Sequence, residues 1–221
     1  MTTLLEVVPT TVKARTLAQL LEQLGDIPPD RVRLFVPIGT ATETDLLACM
    51  QETGRLVELV DGVLVEKAMG FIASVVAVQL ITFLNFFVLK HKLGIIAGPD
   101  AAQRLMPGLV RIPDVSFISW DRLPGGVKPV EPILNIVPDL AVEVLSSSNT
   151  PAEMARKNRE YFAAGVRLVW HLDPETRSAA VFTSPENPII IDMNGTLDGG
   201  DVLPGFVVEL EQLFDQPLNP P

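Results

Sequence analysis

Two lone carboxylates in apolar strands constrain this chain more than any other feature. Asp114 stands in RIPDVSFIS and Glu143 in PDLAVEVLS, each the only charge in the middle of an apolar, β-branched run. Runs of that kind make buried strands. An ionised group removed from water without a partner is so costly that it pairs, loses its charge or coordinates a metal. Two such strands in one chain therefore predict a shared site. Lys157 follows on a helix, and the three side chains become the candidates for convergence.

Local patterns supply the frame. Leu17, Leu20, Leu21 and Leu24 recur at helical spacing, and Thr42-Glu43-Thr44-Asp45 caps a second helix carrying Leu46, Leu47 and Met50. RLVELVDGVLVEK reads as a hairpin turning at Asp61-Gly62, with Glu58 as a solvent-facing strand residue. Residues 68–89 carry no charge, which meets the length for a membrane span. Within them Ser74, Gln79, Thr82 and Asn85 fall in an arc of about 140°, which suits a helix packed on a sheet, and no membrane association is expected.

Gly94 is expected to close that helix. GIIAG to AAQRLM then reads as one strand, turning at Met106-Pro107-Gly108 into the strand of Asp114. A long Pro- and Gly-rich loop precedes the strand of Glu143. Thr150 and Glu153 form a capping box with Pro151 at the first helical position, and Met154, Lys157 and Tyr161 share one helix face. Further short strands and a last helical turn at 211–214 follow. The order predicts an α/β (α+β) fold, a mixed sheet flanked by helices.

Composition narrows the chemistry. A net charge of −10 argues against holding nucleic acid by an overall positive field, so any such contact must come from a local site. One cysteine, Cys49, forbids an internal disulfide, and two histidines with one cysteine give no zinc-spaced cluster. The N-terminal residues lack a secretory pattern, and the expected location is cytoplasmic. Mean hydropathy of +0.33 favours a large core or an apolar interface, and a homodimer is expected.

If the two acidic strands are neighbours, Asp114 and Glu143 sit side by side and repel one another. A divalent cation removes that repulsion, and Mg²⁺ is commonly held by one or two carboxylates plus water and phosphate oxygens. A phosphodiester substrate follows, with Lys157 placed to orient water or stabilise developing negative charge. His171, near a strand end, reads as structural.

IPDVSFIS, PDLAVEVLSSSNTPAEMARKNREYFAAGVRLVWHLDPETR and the upstream VELVDG together resemble the Uma-type restriction-endonuclease family, a branch of the PD-(D/E)XK nuclease superfamily. The resemblance runs from about Glu43 to Phe214. It implies one restriction-endonuclease-like domain over 43–214, an N-terminal extension over 1–42 with a short helix, and a tail over 215–221. It implies a Mg²⁺-dependent endonuclease acting on DNA, with Mn²⁺ as the other candidate metal. Asp114 matches the PD acid and Glu143 the second acid, both as metal ligands, and Glu58 is brought to the site from the hairpin. The superfamily lysine normally stands two residues after the second acid, where this chain has Leu145; Lys157 matches a lysine migrated to the following helix. Two other readings stay open: a nuclease-like domain without catalysis that serves as a binding or assembly module, and a metal-free sugar hydrolase using Asp114 and Glu143 as acid and base.

Overall fold

The computed structural model describes residues 13–68, 70–126 and 130–214. Residues 1–12 of the expected N-terminal extension and the expected tail at 215–221 lie outside the described residues. In chain order the elements are α1 (Leu17–Gln23), β1 (Val32–Arg33), α2 (Glu43–Thr53), β2 (Val57–Val60), β3 (Val63–Glu66), α3 (Phe71–His91), β4 (Gly94–Ala97), β5 (Gln103–Met106), β6 (Leu109–Arg111), β7 (Val115–Ser119), β8 (Leu140–Val144), α4 (Pro151–Ala164), β9 (Leu168–Asp173), β10 (Ser178–Phe182), β11 (Ile189–Ile191), β12 (Thr196–Asp198), β13 (Val207–Glu209) and α5 (Leu210–Phe214).

These strands build an α+β arrangement around two larger sheets. One has the order β1-β3-β2-β6-β5, the other β11-β10-β9-β8-β7-β4, and β12 pairs with β13. The second sheet is mixed: its pairings are antiparallel except between β8 and β9, which run parallel. A parallel pair needs a long crossover, and α4 supplies it.

Strand alternation sorts the side chains into layers. Val115, Phe117, Leu140, Val142, Leu168 and Trp170 pack with Val76, Leu80, Leu84 and Val88 of α3 on one face of the six-stranded sheet. The opposite face presents Ala141 and Val169 to Tyr161 of α4 and to Val60, Val65 and Leu109 of the five-stranded sheet. The far side of that smaller sheet is covered by Leu46 and Cys49 of α2. One face of helix α4 thus packs between the two sheets, and this is where polar side chains of both meet.

Local sequence explains the frame. Asp61 and Gly62 turn β2 into β3 with φ of 51° and 74°, as a tight hairpin requires, and a Cβ on Gly62 would come within 2.5 Å of the Gly39 carbonyl oxygen. Thr42 caps α2 reciprocally with Asp45. Helix α3 is long and apolar enough to cross a membrane by composition, yet it lays Val76, Ala77, Leu80, Leu84 and Val88 against the sheet. Ser74, Thr82 and Asn85 lie on its exposed side, as their arc implies, alongside Phe71 and Phe86.

Three expectations are corrected. Helix α3 ends at His91 with Lys92 in the left-handed region, and Gly94 instead belongs to β4, where a Cβ would run into the Ile118 carbonyl oxygen. The segment read as one strand between Gly94 and Met106 is two strands in different sheets, because Gly98 to Ala102 carries the chain from one sheet to the other. The same division separates β6 from β7: Ile112 and Pro113 interrupt pairing, so Asp114 stands at the entrance to β7 rather than in the hairpin strand.

Candidate active site

Asp114 and Glu143 are brought face to face by the β7–β8 register. Val115 pairs with Val142, and one step further along the antiparallel ladder Asp114 comes opposite Glu143. The Asp114 backbone N–H donates to Val142 O at 2.9 Å, and its Oδ2 accepts from Val144 N at 2.7 Å, which fixes the carboxylate across the strand pair. Lys67, at the end of β3, places Nζ 2.8 Å from Asp114 Oδ1 and donates to Ile112 O at 2.7 Å. Glu143 is buried at 4 % exposure, and its Oε1 accepts from Lys157 Nζ at 3.0 Å and from the Tyr161 hydroxyl at 2.6 Å.

Lys157 reaches this point because α4 is capped and aimed. The Thr150 hydroxyl accepts from Glu153 N, and Pro151 opens the first turn. The expected capping box is only half formed. Glu153 turns away from the cap to make a two-pronged pair with Arg31 at 2.7 and 2.9 Å, which ties the N-terminus of α4 to the segment before β1. Lys157 and Tyr161 then lie one turn apart on the buried face.

Glu58 joins the same cluster and corrects its solvent-facing reading. It is wholly buried, with Oε1 3.4 Å from Lys157 Nζ and accepting from Ile112 N at 3.0 Å, and Oε2 2.7 Å from Arg111. Its position in β2 alternates with Val57 and Leu59, which face α2, so Glu58 faces α4. Arg111 also holds Glu160 at 2.6 and 2.8 Å, and Glu160 takes Arg156 at 2.6 Å. Sequence reasoning assigned no role to Lys67, Arg111 or Tyr161. The signal was present, since Lys67 closes an apolar strand, Arg111 directly precedes Ile-Pro-Asp, and Tyr161 follows Lys157 by four residues.

The electrostatics separate the two buried glutamates. Burial pushes the Glu58 carboxyl up, but the charges of Lys157 and Arg111 override it and hold it at about 2. Burial also pushes Glu143 up, and the nearby charge of Asp114 adds to that push against the pull of Lys157. Lys157 resists the effect of burial because Glu143 and Glu58 hold its proton, and its pKa rises.

His171 is paired with Glu143 across the parallel β8–β9 ladder and so points to the same side of the sheet. Burial, reinforced by the charge of Lys157, lowers its pKa to about 4 and keeps it neutral. Its ring lies 4.8 Å from that of Phe182. A cavity of about 1150 Å³ opens beside the cluster, with Leu145, Asn158 and His171 in its wall. Leu145, in the usual lysine position, donates its backbone N–H to Leu172 O and forms part of that wall, whereas the ammonium at Glu143 comes from α4.

The sequence profile described as putative restriction endonuclease, Uma2, matches residues 43–211. The chain belongs to the Uma2 family. A sequence search of curated proteins finds no match. Among solved structures, a protein from Anabaena variabilis described as a putative nuclease belonging to DUF820 is similar in fold, with a TM-score of 0.65 over 73 % of this chain and 91 % of that one at 17 % identity. Family and fold together support a nuclease.

The donor set decides what the Uma2 site can hold. Among the described residues no three His, Cys, Asp or Glu side chains converge as a metal cluster. The pair Asp114 and Glu143 matches the demand of Mg²⁺, which is content with one or two protein carboxylates when water and phosphate complete its shell. Both hydrogen bonds accepted by the Glu143 side chain among the described residues fall on Oε1, and a cation beside Asp114 would offset both the burial that chiefly raises the Glu143 pKa and the smaller repulsion from Asp114.

Proposed function

We propose that this Uma2 protein is a divalent-metal-dependent endonuclease that hydrolyses phosphodiester bonds of DNA. The observation that carries this reading is the placement of Lys157 Nζ 3.0 Å from Glu143 Oε1, with Glu143 opposite Asp114 across the β7–β8 pair. In it, Asp114 and Glu143 hold Mg²⁺ or Mn²⁺. When bound, the cation polarises the phosphoryl group and lowers the pKa of the attacking water.

The protein's own groups do the rest. Tyr161 fixes Glu143 by donating to Oε1, and Val144 N fixes Asp114 through Oδ2. Lys157 stays protonated, pinned between Glu143 and Glu58, and offers its charge to negative charge growing on the phosphate oxygens. Glu58, itself fixed by Arg111, holds the ammonium in place from the five-stranded sheet, so Glu58 is a positioning residue. The exposed Phe71, Phe86 and Leu89 on the outer side of α3 favour a homodimer through that helix, which would present paired sites to the two strands of a duplex.

The Lys67–Asp114 pair favours a second reading. An ammonium 2.8 Å from Asp114 already neutralises one of the two carboxylates, as it would in a binding or assembly module that takes no metal. Thermal unfolding with increasing Mg²⁺ or Mn²⁺ separates the two. Metal that binds the folded state raises the midpoint of the wild type and leaves Asp114→Asn unmoved. A wild-type midpoint insensitive to both metals contradicts the endonuclease and favours the module.

A further inference from the structure

The cavity beside the carboxylates has a wall the proposed chemistry does not use. Asn158 is 2 % exposed and its side-chain amide makes no hydrogen bond among the described residues, with Oδ1 fully enclosed; Nε2 of His171, a residue 7 % exposed, is likewise unpartnered. Buried polar groups normally have partners, and one left unsatisfied is costly. Both groups line the same cavity of about 1150 Å³, room enough for a ligand far larger than a water molecule.

The position of these groups ties the cavity to the cluster. Asn158 follows Lys157 on α4, and His171 is the ladder partner of Glu143. A ligand touching both would lie on the side of the sheet that carries Glu143, against the helix that carries Lys157. The character of the wall narrows its chemistry. Ile72, Met154 and Phe182 supply apolar faces, no Lys or Arg among the described residues lines the cavity, and Glu175 and Glu186 do. Phosphate is repelled from such a surface. A flat heterocycle with N–H groups suits it, since its faces take the apolar walls and its edge meets the orphaned donor and acceptor.

We propose that this cavity receives one unstacked nucleobase of the nucleic-acid substrate, with the Asn158 amide and the His171 imidazole reading its hydrogen-bonding edge while the adjoining phosphate lies at Asp114 and Glu143. The proposal rests on the nuclease reading and deepens it: the substrate is single-stranded or has a base drawn out of its stack. An amide side chain pairs well with a base edge that offers a donor beside an acceptor, as adenine does through its amino group and N7.

The test is binding of deoxyadenosine to the full chain without divalent metal, followed by NMR shifts and calorimetry, with deoxyribose as the baseless control. Two variants probe the cavity independently. Asn158→Leu removes the reading group at similar volume, and Ala155→Trp fills the cavity from an exposed helix position. Circular dichroism establishes that each folds. Deoxyadenosine binds the wild type and deoxyribose does not, and both variants weaken binding about tenfold or more. Absence of binding at millimolar nucleoside, or binding that both folded variants retain, overturns the proposal. Metal-dependent DNA cleavage by a wild type that binds no nucleoside would overturn the cavity assignment and leave the nuclease reading intact. Asn158-dependent nucleoside binding by a protein that cuts nothing would do the reverse.

Discussion

Lys157 Nζ lies 3.0 Å from Glu143 Oε1, and the two are joined by the turn that leads β8 into α4. The same ammonium is 3.4 Å from Glu58 Oε1 on the other sheet, so one lysine bridges the two layers. Removing it leaves two buried carboxylates with less opposing charge.

Lys157→Met therefore destabilises the fold by about 3–5 kcal/mol at neutral pH, the usual penalty for breaking a buried ion pair from one side. Adding Glu143→Gln to Lys157→Met recovers part of the loss, because it removes one orphaned charge. Urea unfolding of the single and double variants measures both. A double variant no more stable than the single one would show that Glu143 is not the group Lys157 compensates.

Glu58 gives the fold an acid limit. Its pKa is about 2 in the folded state against an ordinary 4.5, so its contribution is complete above about 4.5 and is lost as pH falls through about 2. The shift corresponds to about 3 kcal/mol. Glu143 is raised instead, and its protonation works in the opposite direction over its own range. The expected result is that the stability gap between wild type and Glu58→Gln narrows between pH 5 and pH 2, followed by urea unfolding at each pH. A gap constant over that window would refute the assigned burial and pairing of Glu58.

His171 titrates in a different window. Burial and Lys157 lower its pKa to about 4 from 6.5, so the folded state resists the proton that the unfolded chain accepts. Stability from this source is present above about 6.5 and declines as pH falls toward 4. In a His91→Gln background the remaining imidazole is followed by NMR. It stays neutral at pH 6 and titrates near 4; half-protonation at pH 6 or above would contradict its burial beside Lys157.

Gly25 fixes the approach of α1 to the start of α4. Its φ is +92°, and a Cβ there would lie 2.5 Å from Glu153 Cα, against backbone that cannot yield. Gly25→Ala is expected to cost more than about 1 kcal/mol through strain and clash together. Differential scanning calorimetry checks it, and an unchanged midpoint would mean that α4 has room to move.

Much of the scaffold was legible in the residues. The Asp61-Gly62 turn, the Thr42 cap, the Pro151 start and the apolar run around Glu143 are local signals, and each led to the element found. What escaped was non-local. Glu58 looked exposed because its neighbours Val57 and Leu59 have α2 to cover them, while its own cover comes from α4, about a hundred residues later in the chain. Lys67 and Arg111 were silent for the same reason: their partners Asp114, Glu58 and Glu160 come from other strands and helices, and only the meeting of two sheets around α4 joins them. The switch of sheet at Pro113 was hidden inside what read as one strand.

Supercoiled plasmid incubated with Mg²⁺ or Mn²⁺ tests the central claim most directly. Wild type converts it to nicked or linear DNA, chelator stops the reaction, and Asp114→Asn and a folded Lys157→Met each slow it by about a hundredfold or more. Wild type that leaves the plasmid intact with both metals, or cleavage that survives Asp114→Asn, would contradict the assignment of Asp114, Glu143 and Lys157 as an endonuclease centre.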